Sequence, residues 1–220
     1  MEHFSITKKG DVFHIEGFPD AVKVIQIDEP QARRLADLGL HKIDLDFAGD
    51  ALFSINHVPE EPSVLRQALW RTAIIHYMKC FGDSGARFQL SAEKIYKGKN
   101  LAMPAFNYFK ELRHKHIIHD ENSYAQSIPG AILNGRDKTY KIEKIVCLSA
   151  IAETLGQENY NNLSLLIKTA KQWVIGEFDK ICENLTQELE AKPYDELINR
   201  KAITYTAPGL DQISKNRNTP

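Results

Sequence analysis

Pro104-Ala105-Phe106-Asn107-Tyr108-Phe109-Lys110-Glu111-Leu112-Arg113-His114-Lys115-His116-Ile117-Ile118-His119 reads as one helix, and the side it turns inward decides how the chain must fold around it. At about 100 degrees per residue, Ala105, Phe106, Tyr108, Phe109, Leu112 and Ile117 share one arc, opposite Asn107, Lys110, Glu111, His114 and Lys115. An apolar arc of this width calls for other helices to cover it. Arg113, His116 and His119 follow one another at i, i+3 and i+6 inside the same arc, so three polar groups are expected to point inward. An unpaired arginine there would cost several kcal/mol, so it needs a carboxylate, a water-filled cleft or a ligand. One arrangement pairs Arg113 with a carboxylate of another helix and leaves His116 and His119 hydrogen-bonded inside the bundle; the other opens the row to a ligand.

Toward the C-terminus, Leu163, Ile167, Ala170, Val174, Phe178, Ile181, Leu185 and Leu189 recur at three and four residues, a one-sided stripe that predicts a long helix from about Asn159. Between the two helices, Ile132-Leu133-Asn134-Gly135-Arg136 followed by Thr139 to Ile142 predicts a hairpin, Asn-Gly being the pair favoured in a two-residue turn, and helix is predicted again over Glu143 to Leu155. Toward the N-terminus, Pro62 opens a predicted helix to Phe81 whose apolar residues cover nearly every direction, as in the middle of a bundle. Gly82 to Lys99 reads as a loop with a short helical piece over Ser91 to Tyr96. A first long helix is predicted from an Asp28 cap and Pro30 to about Asn56, with Leu35, Leu38 and Phe47 inward and Gly39 as a break point. Alternation over residues 3 to 27 predicts a hairpin around Lys8-Lys9-Gly10-Asp11 and a third strand over Ala21 to Ile27. Tyr194 to Lys201 suits a short helix, and a flexible tail is expected from Ala207. The predicted organisation is a β extension over 1–27, a helical bundle over 28–192, and a short helix with a tail over 193–220.

The 220 residues suit one domain with additions, and 43% hydrophobic with 26% charged residues excludes wholesale disorder and a disulfide-built miniprotein. Cys80, Cys147 and Cys182 stand far apart among apolar neighbours, as small buried hydrophobes of a reducing compartment. No run approaches the roughly 18 apolar residues that cross a bilayer, and no basic-then-apolar leader is present, so a cytoplasmic protein without a membrane role is expected. A net charge of -1 gives no global pull on nucleic acid. Locally, Lys94, Lys97, Lys99, Lys110, Arg113 and Lys115 against Glu93 and Glu111 leave +4, which suits either a solvated face or a phosphate track. Neither a G-x-S-x-G element nor a glycine-rich phosphate loop occurs. A metal cluster of His114, His116 and His119 is disfavoured, because His114 and His116 point about 200 degrees apart on a helix and no cysteine or carboxylate completes a shell.

Arg113, the polar residue directly after it and a histidine six positions on, near the end of a bundle helix, resemble the R-x4-6-H motif of the HEPN superfamily over approximately residues 28 to 190. Arg34 to His41 and Arg71 to His76 share the spacing, but Leu35 and Thr72 follow those arginines where His114 follows Arg113. The resemblance implies a mainly α fold, an HEPN-like helical bundle, here with a small N-terminal β-hairpin and a central β-hairpin insertion. It implies a homodimer and a metal-independent, cofactor-free endoribonuclease in a toxin or antiviral defence role, with RNA as substrate and an antitoxin or defence-system partner. RNA would be cut when the ribose 2'-hydroxyl attacks the adjacent phosphate, leaving a cyclic phosphate. His119 would move the proton, since imidazoles titrate near roughly 6.5. Arg113 would hold the phosphate and His114 would orient it or the other histidine. His116, Arg71 and His76 are accessory candidates, and Lys94, Lys97, Lys99, Lys110 and Lys115 are RNA-binding candidates. A two-fold dimer would supply one His119 as base and its mate as acid. A non-catalytic module of the same fold, binding a nucleotide, RNA or protein, is the alternative.

Overall fold

Leu38, His41, Leu45, Ala48, Leu52 and Ile55 recur at three and four residues and are all buried, which makes one continuous inward stripe along helix α1, Ala32–Ser54, and the 3-10 turn Ile55–His57 that follows it. The computed structural model describes residues 6–9, 12–61, 64–83, 85–204 and 207–215. The chain is mainly helical. A first hairpin pairs β1, Ile6–Lys9, antiparallel with β2, Val12–Ile15. After α1 come α2, Val64–Lys79; α3, Ala92–Ile95; and α4, Ala102–Leu112, which continues into a π-helical turn, Arg113–Ile118. A second hairpin, β3 Ala125–Leu133 and β4 Ile142–Ile151, precedes the 34-residue α5, Gln157–Glu190, and the short α6, Tyr194–Asn199.

Contacts group these elements into two compact units: Met1–Ile43, Asp83–Gln89 and Lys171–Pro220 form one, Asp44–Gly82 and Leu90–Ala170 the other. The boundaries at 27/28 and 192/193, read from composition, both fall within the first of these.

In the first unit an extended segment of the N-terminal region is strapped to the C-terminal one. Ile25 forms a lone bridge with Ala202, Gln26 donates to the Lys201 carbonyl, and Lys23 Nζ donates to the carbonyls of Ile198 and Arg200. Ala21 to Ile27 is therefore not a third strand of the first hairpin; its ladder partner lies at the far end of the chain. Arg200 grips Glu29 bidentately at 2.9 and 3.1 Å, and Lys192 adds a contact at 3.3 Å. Within the same unit, Asp37 accepts from the Phe88 N–H and His41 Nε2 lies 2.8 Å from the Phe88 carbonyl. Gly39 does not interrupt α1: helix runs unbroken through it.

In the second unit the core is aromatic. Tyr77, Phe81, Tyr96 and Phe106 meet ring to ring, and the Tyr77 and Tyr96 hydroxyls share a hydrogen bond while Tyr96 also donates to the Leu166 carbonyl. Burial pushes both phenols above their ordinary pKa, so they keep the protons these bonds require. Trp70 sets its ring edge-on to Phe109, with centroids 5.9 Å apart, and donates to Thr154 Oγ1. Asn159 of α5 donates to the Tyr108 hydroxyl and to the Thr154 carbonyl. Helix α4 is thus held against α2 and α5 through the arc that contains Phe109 and Leu112, as its spacing requires.

Four expectations are corrected. Helix α2 is not apolar on all sides: Trp70, Ala73, Ile74, Tyr77 and Met78 are buried at spacings of three and one, while Val64 and Leu65 in its first turn are exposed. Phe47 lies on the outer side of α1 at 53% exposure. Residues 143–151 are strand, so the second hairpin spans nine and ten residues and Asn134-Gly135 sits in an eight-residue connection, not a two-residue turn. Cys147 on β4 is exposed, whereas Cys80 is buried. Ser91 caps α3 by accepting from the Lys94 N–H, as the short helix expected there needs. Gly10, Asp11, Pro62 and the tail end beyond residue 215 lie outside the described residues. Among the described residues no helix is long and apolar enough to cross a membrane.

Truncating Phe109 to alanine is expected to cost about 3 to 5 kcal/mol in urea unfolding, the usual loss for a core aromatic; a change within error would show that its ring is not packed as described. A second outcome concerns acid. Hydrogen bonds from Arg200, helped by Lys192, hold the Glu29 carboxyl at about 2, against the opposing effect of burial. A carboxyl lowered on folding stabilises the fold fully above its ordinary value of 4.5 and loses that contribution as pH falls toward 2. Glu29→Gln should therefore flatten the acid unfolding curve in that window, read by circular dichroism.

Candidate functional site

Helix α4 ends on Leu112, buried at 3% exposure, and from there the backbone bonds lengthen their step: the His119 N–H reaches back five residues to the His114 carbonyl, and Glu121 N–H reaches Lys115. In this π geometry residues five apart lie above one another, which an α-helix does not allow. His114 and His119 consequently stand together, rings edge-to-face with centroids 5.2 Å apart, and both are exposed. Of the three groups expected to face inward, only His116 is buried, at 7% exposure; Arg113 is half-buried and His119 lies outside. The widened turn is the reason, because the arc was laid out at α-helical spacing.

Arg113 makes no side-chain hydrogen bond or ion pair with any described residue. The carboxylate partner that a purely architectural arginine would need is thus not supplied by them. His114 Nε2 lies 3.9 Å from Glu121, and Lys115 is tied to Glu111 at 2.9 Å, an exposed i, i+4 pair of small energetic weight. His116 packs edge-on to Tyr124 at 5.5 Å, and its Nδ1 is buried without a hydrogen-bond partner among the described residues. Burial first, and then the positive charge of Arg71 on α2, hold His116 below its ordinary pKa, with Asp120 partly opposing them.

Arg71 therefore belongs to the neighbourhood of the motif. His76 is engaged elsewhere: its Nδ1 lies 2.9 Å from Asp44, which also takes Lys79 at 3.0 Å, and its ring packs on Phe47. Lys94, Lys97, Lys99, Lys110 and Lys115 are all exposed, with Lys99 Nζ near Thr169 Oγ1 at 3.4 Å. Tyr124 and Glu121 are the neighbours that helical spacing could not find, since the contacts follow from where the chain goes after the turn. Among the described residues no group of three or more His, Cys, Asp or Glu side chains is gathered as a metal site. The segment thus combines an exposed imidazole pair, a half-buried guanidinium without a side-chain partner among the described residues, and a buried third imidazole that feels the charge of Arg71.

No family model, curated protein or solved structure matches the chain.

His116 should titrate below the ordinary histidine range in a proton NMR titration, and Arg71→Gln should move it upward. Because its pKa falls on folding, His116 opposes stability as pH drops through and below its ordinary value of 6.5. An unmoved titration in the Arg71 variant would place that guanidinium too far away to act.

Proposed function

We propose that the chain is an HEPN-type endoribonuclease that cleaves RNA by 2'-hydroxyl transesterification without a metal, in a toxin or phage-defence role. The observation that carries this reading is the exposed His114 and His119 pair on the turn that begins with Arg113, a half-buried arginine without a side-chain partner among the described residues. An arginine with no partner among the described residues is suited to hold a phosphate through two parallel hydrogen bonds and to stabilise charge that builds on its oxygens. Two imidazoles within reach of one phosphodiester supply both proton transfers: one takes the 2'-hydroxyl proton as the oxygen attacks phosphorus, and the other protonates the departing 5'-oxygen. The bond to the 5'-oxygen breaks as the cyclic phosphate closes. The buried His116, held below its ordinary pKa, favours its neutral form and adds no competing positive charge, and Arg71 adds a cation for the RNA. The exposed lysines Lys94, Lys97 and Lys110 suit the flanking backbone. In this arrangement the acid and the base come from the same chain, so the two-fold partner is not required for proton transfer.

RNA should be cut in EDTA with a cyclic phosphate at the new 3' end, and Arg113→Ala, His114→Ala and His119→Ala should each reduce the rate by roughly 10² or more. A mixed dimer of one wild-type and one His119→Ala subunit should keep about half the activity if each chain works alone and lose most of it if the site is shared. RNA binding with no cleavage under any of these conditions would leave the binding-module reading in its place.

A further inference from the structure

Within the second unit, α4 and α5 run antiparallel past each other. At one level Asn159 donates to the Tyr108 hydroxyl at 3.1 Å, and at another Lys99, just ahead of α4, holds its Nζ 3.4 Å from Thr169 Oγ1. Between those levels α4 contributes only Ala102 and Ala105, facing a row on α5 spaced i, i+3, i+4 and i+7: Asn162, Leu165, Leu166 and Thr169. Two alanines do not fill the space, and a cavity of about 480 Å³ is left, a volume usual for small-molecule sites. From Asn162 to Thr169 the row runs about 10 Å, at 1.5 Å per helical residue. Leu166 is buried behind it, while Leu101 and Leu165 line it at 85 and 63% exposure, so aliphatic surface is open to whatever enters.

We infer that this cavity binds a small amphipathic monocarboxylate, its head on Lys99 and Thr169 and its apolar body along Leu165 and Leu101. Charge selects the head. Lys99 is the one charged residue among those that line the cavity, the amides of Asn100 and Asn162 being neutral, and no carboxylate of the described residues lies within ion-pair distance of it. A cationic ligand would meet that ammonium and no counter-charge. A purely apolar one would cover Lys99 and the buried Thr169 hydroxyl without giving either a new hydrogen-bond partner, which costs free energy. A phosphate monoester brings about two negative charges and is met best by the planar fork of arginine, and no arginine lines the cavity. A carboxylate matches the single ammonium and can also accept from the Thr169 hydroxyl. The aliphatic walls select the body, since burying apolar surface is what they offer.

This inference is independent of the ribonuclease reading and is tested without RNA, by calorimetric titration of the full chain with octanoate, octanol and octylamine, three probes that share a body and differ in the charge of the head. Octanoate should bind as a single equivalent with a dissociation constant below about 1 mM. Octanol should bind more weakly, through the walls alone, and octylamine should show no saturable binding. Lys99→Gln should weaken octanoate about tenfold and leave octanol unchanged. Ala105→Leu, which fills the space between the helices, should abolish binding of both with unchanged helical circular dichroism. The inference is overturned by the absence of saturable octanoate binding, by octylamine binding as tightly as octanoate, by a Lys99→Gln variant that binds octanoate as the wild type does or loses both probes alike, or by a folded Ala105→Leu variant that still binds. If Ala105→Leu fails to fold, the three probes and the exposed Lys99→Gln substitution decide.

Discussion

A change of hydrogen-bond step, from four residues to five after Leu112, sets the direction of every chemical group in the motif. Helix α4 arrives with its rotation fixed, because Phe106, Phe109 and Leu112 are buried and none of them can turn out without exposing an apolar side chain. Past Leu112 the wider turn carries the polar side chains away from the α-helical row, so that His116 stays in while His119 comes out beside His114. The bonding of the His119 N–H to the His114 carbonyl is thus both the backbone signature of the turn and the cause of the imidazole pair.

The helix that leads into the turn rests on an aromatic base. Tyr77 and Tyr96 provide it: their shared hydroxyl bond, closed on the Leu166 carbonyl, satisfies buried polar groups in the middle of an aromatic cluster that also holds Phe81 and Phe106. Trp70 and Asn159 converge on Thr154, at the entry to α5, through its hydroxyl and its carbonyl. The polar contacts that anchor α4 are therefore few and sequence-distant, and each one is made by a side chain that also packs.

The helices were legible because their apolar spacing survives folding: the stripe from Leu163 to Leu185 is buried at Leu163, Ile167, Ala170, Val174, Ile181 and Leu185, and Ser91 announces α3. Strand β4 was misread as helix for a physical reason. Ile142, Ile145 and Val146 sit at helical spacing, and the strand has no polar alternate face because both of its faces are apolar and open, so the two-residue period that normally marks a strand is missing. In the site, residue types and spacing pointed to Arg113, His114 and His119, but their geometry was not legible: nothing in the side-chain pattern of Arg113 to Ile118 distinguishes a five-residue step from a four-residue one. The approach of Arg71 to His116 joins two helices and leaves no periodic trace at all.

The clasp of Glu29 by Arg200, together with Lys23 on the carbonyls of Ile198 and Arg200, closes loops of more than 170 residues. During synthesis on the ribosome such a clasp cannot form until Arg200 has emerged, whereas Tyr77, Tyr96 and Leu166 are all available some thirty residues earlier. The nascent chain thus carries Glu29 and the segment from Lys23 to Ile27 without their clasp until Arg200 follows, and the aromatic core has time to form first. Vectorial synthesis gives this fold an order of assembly that its finished contacts do not display.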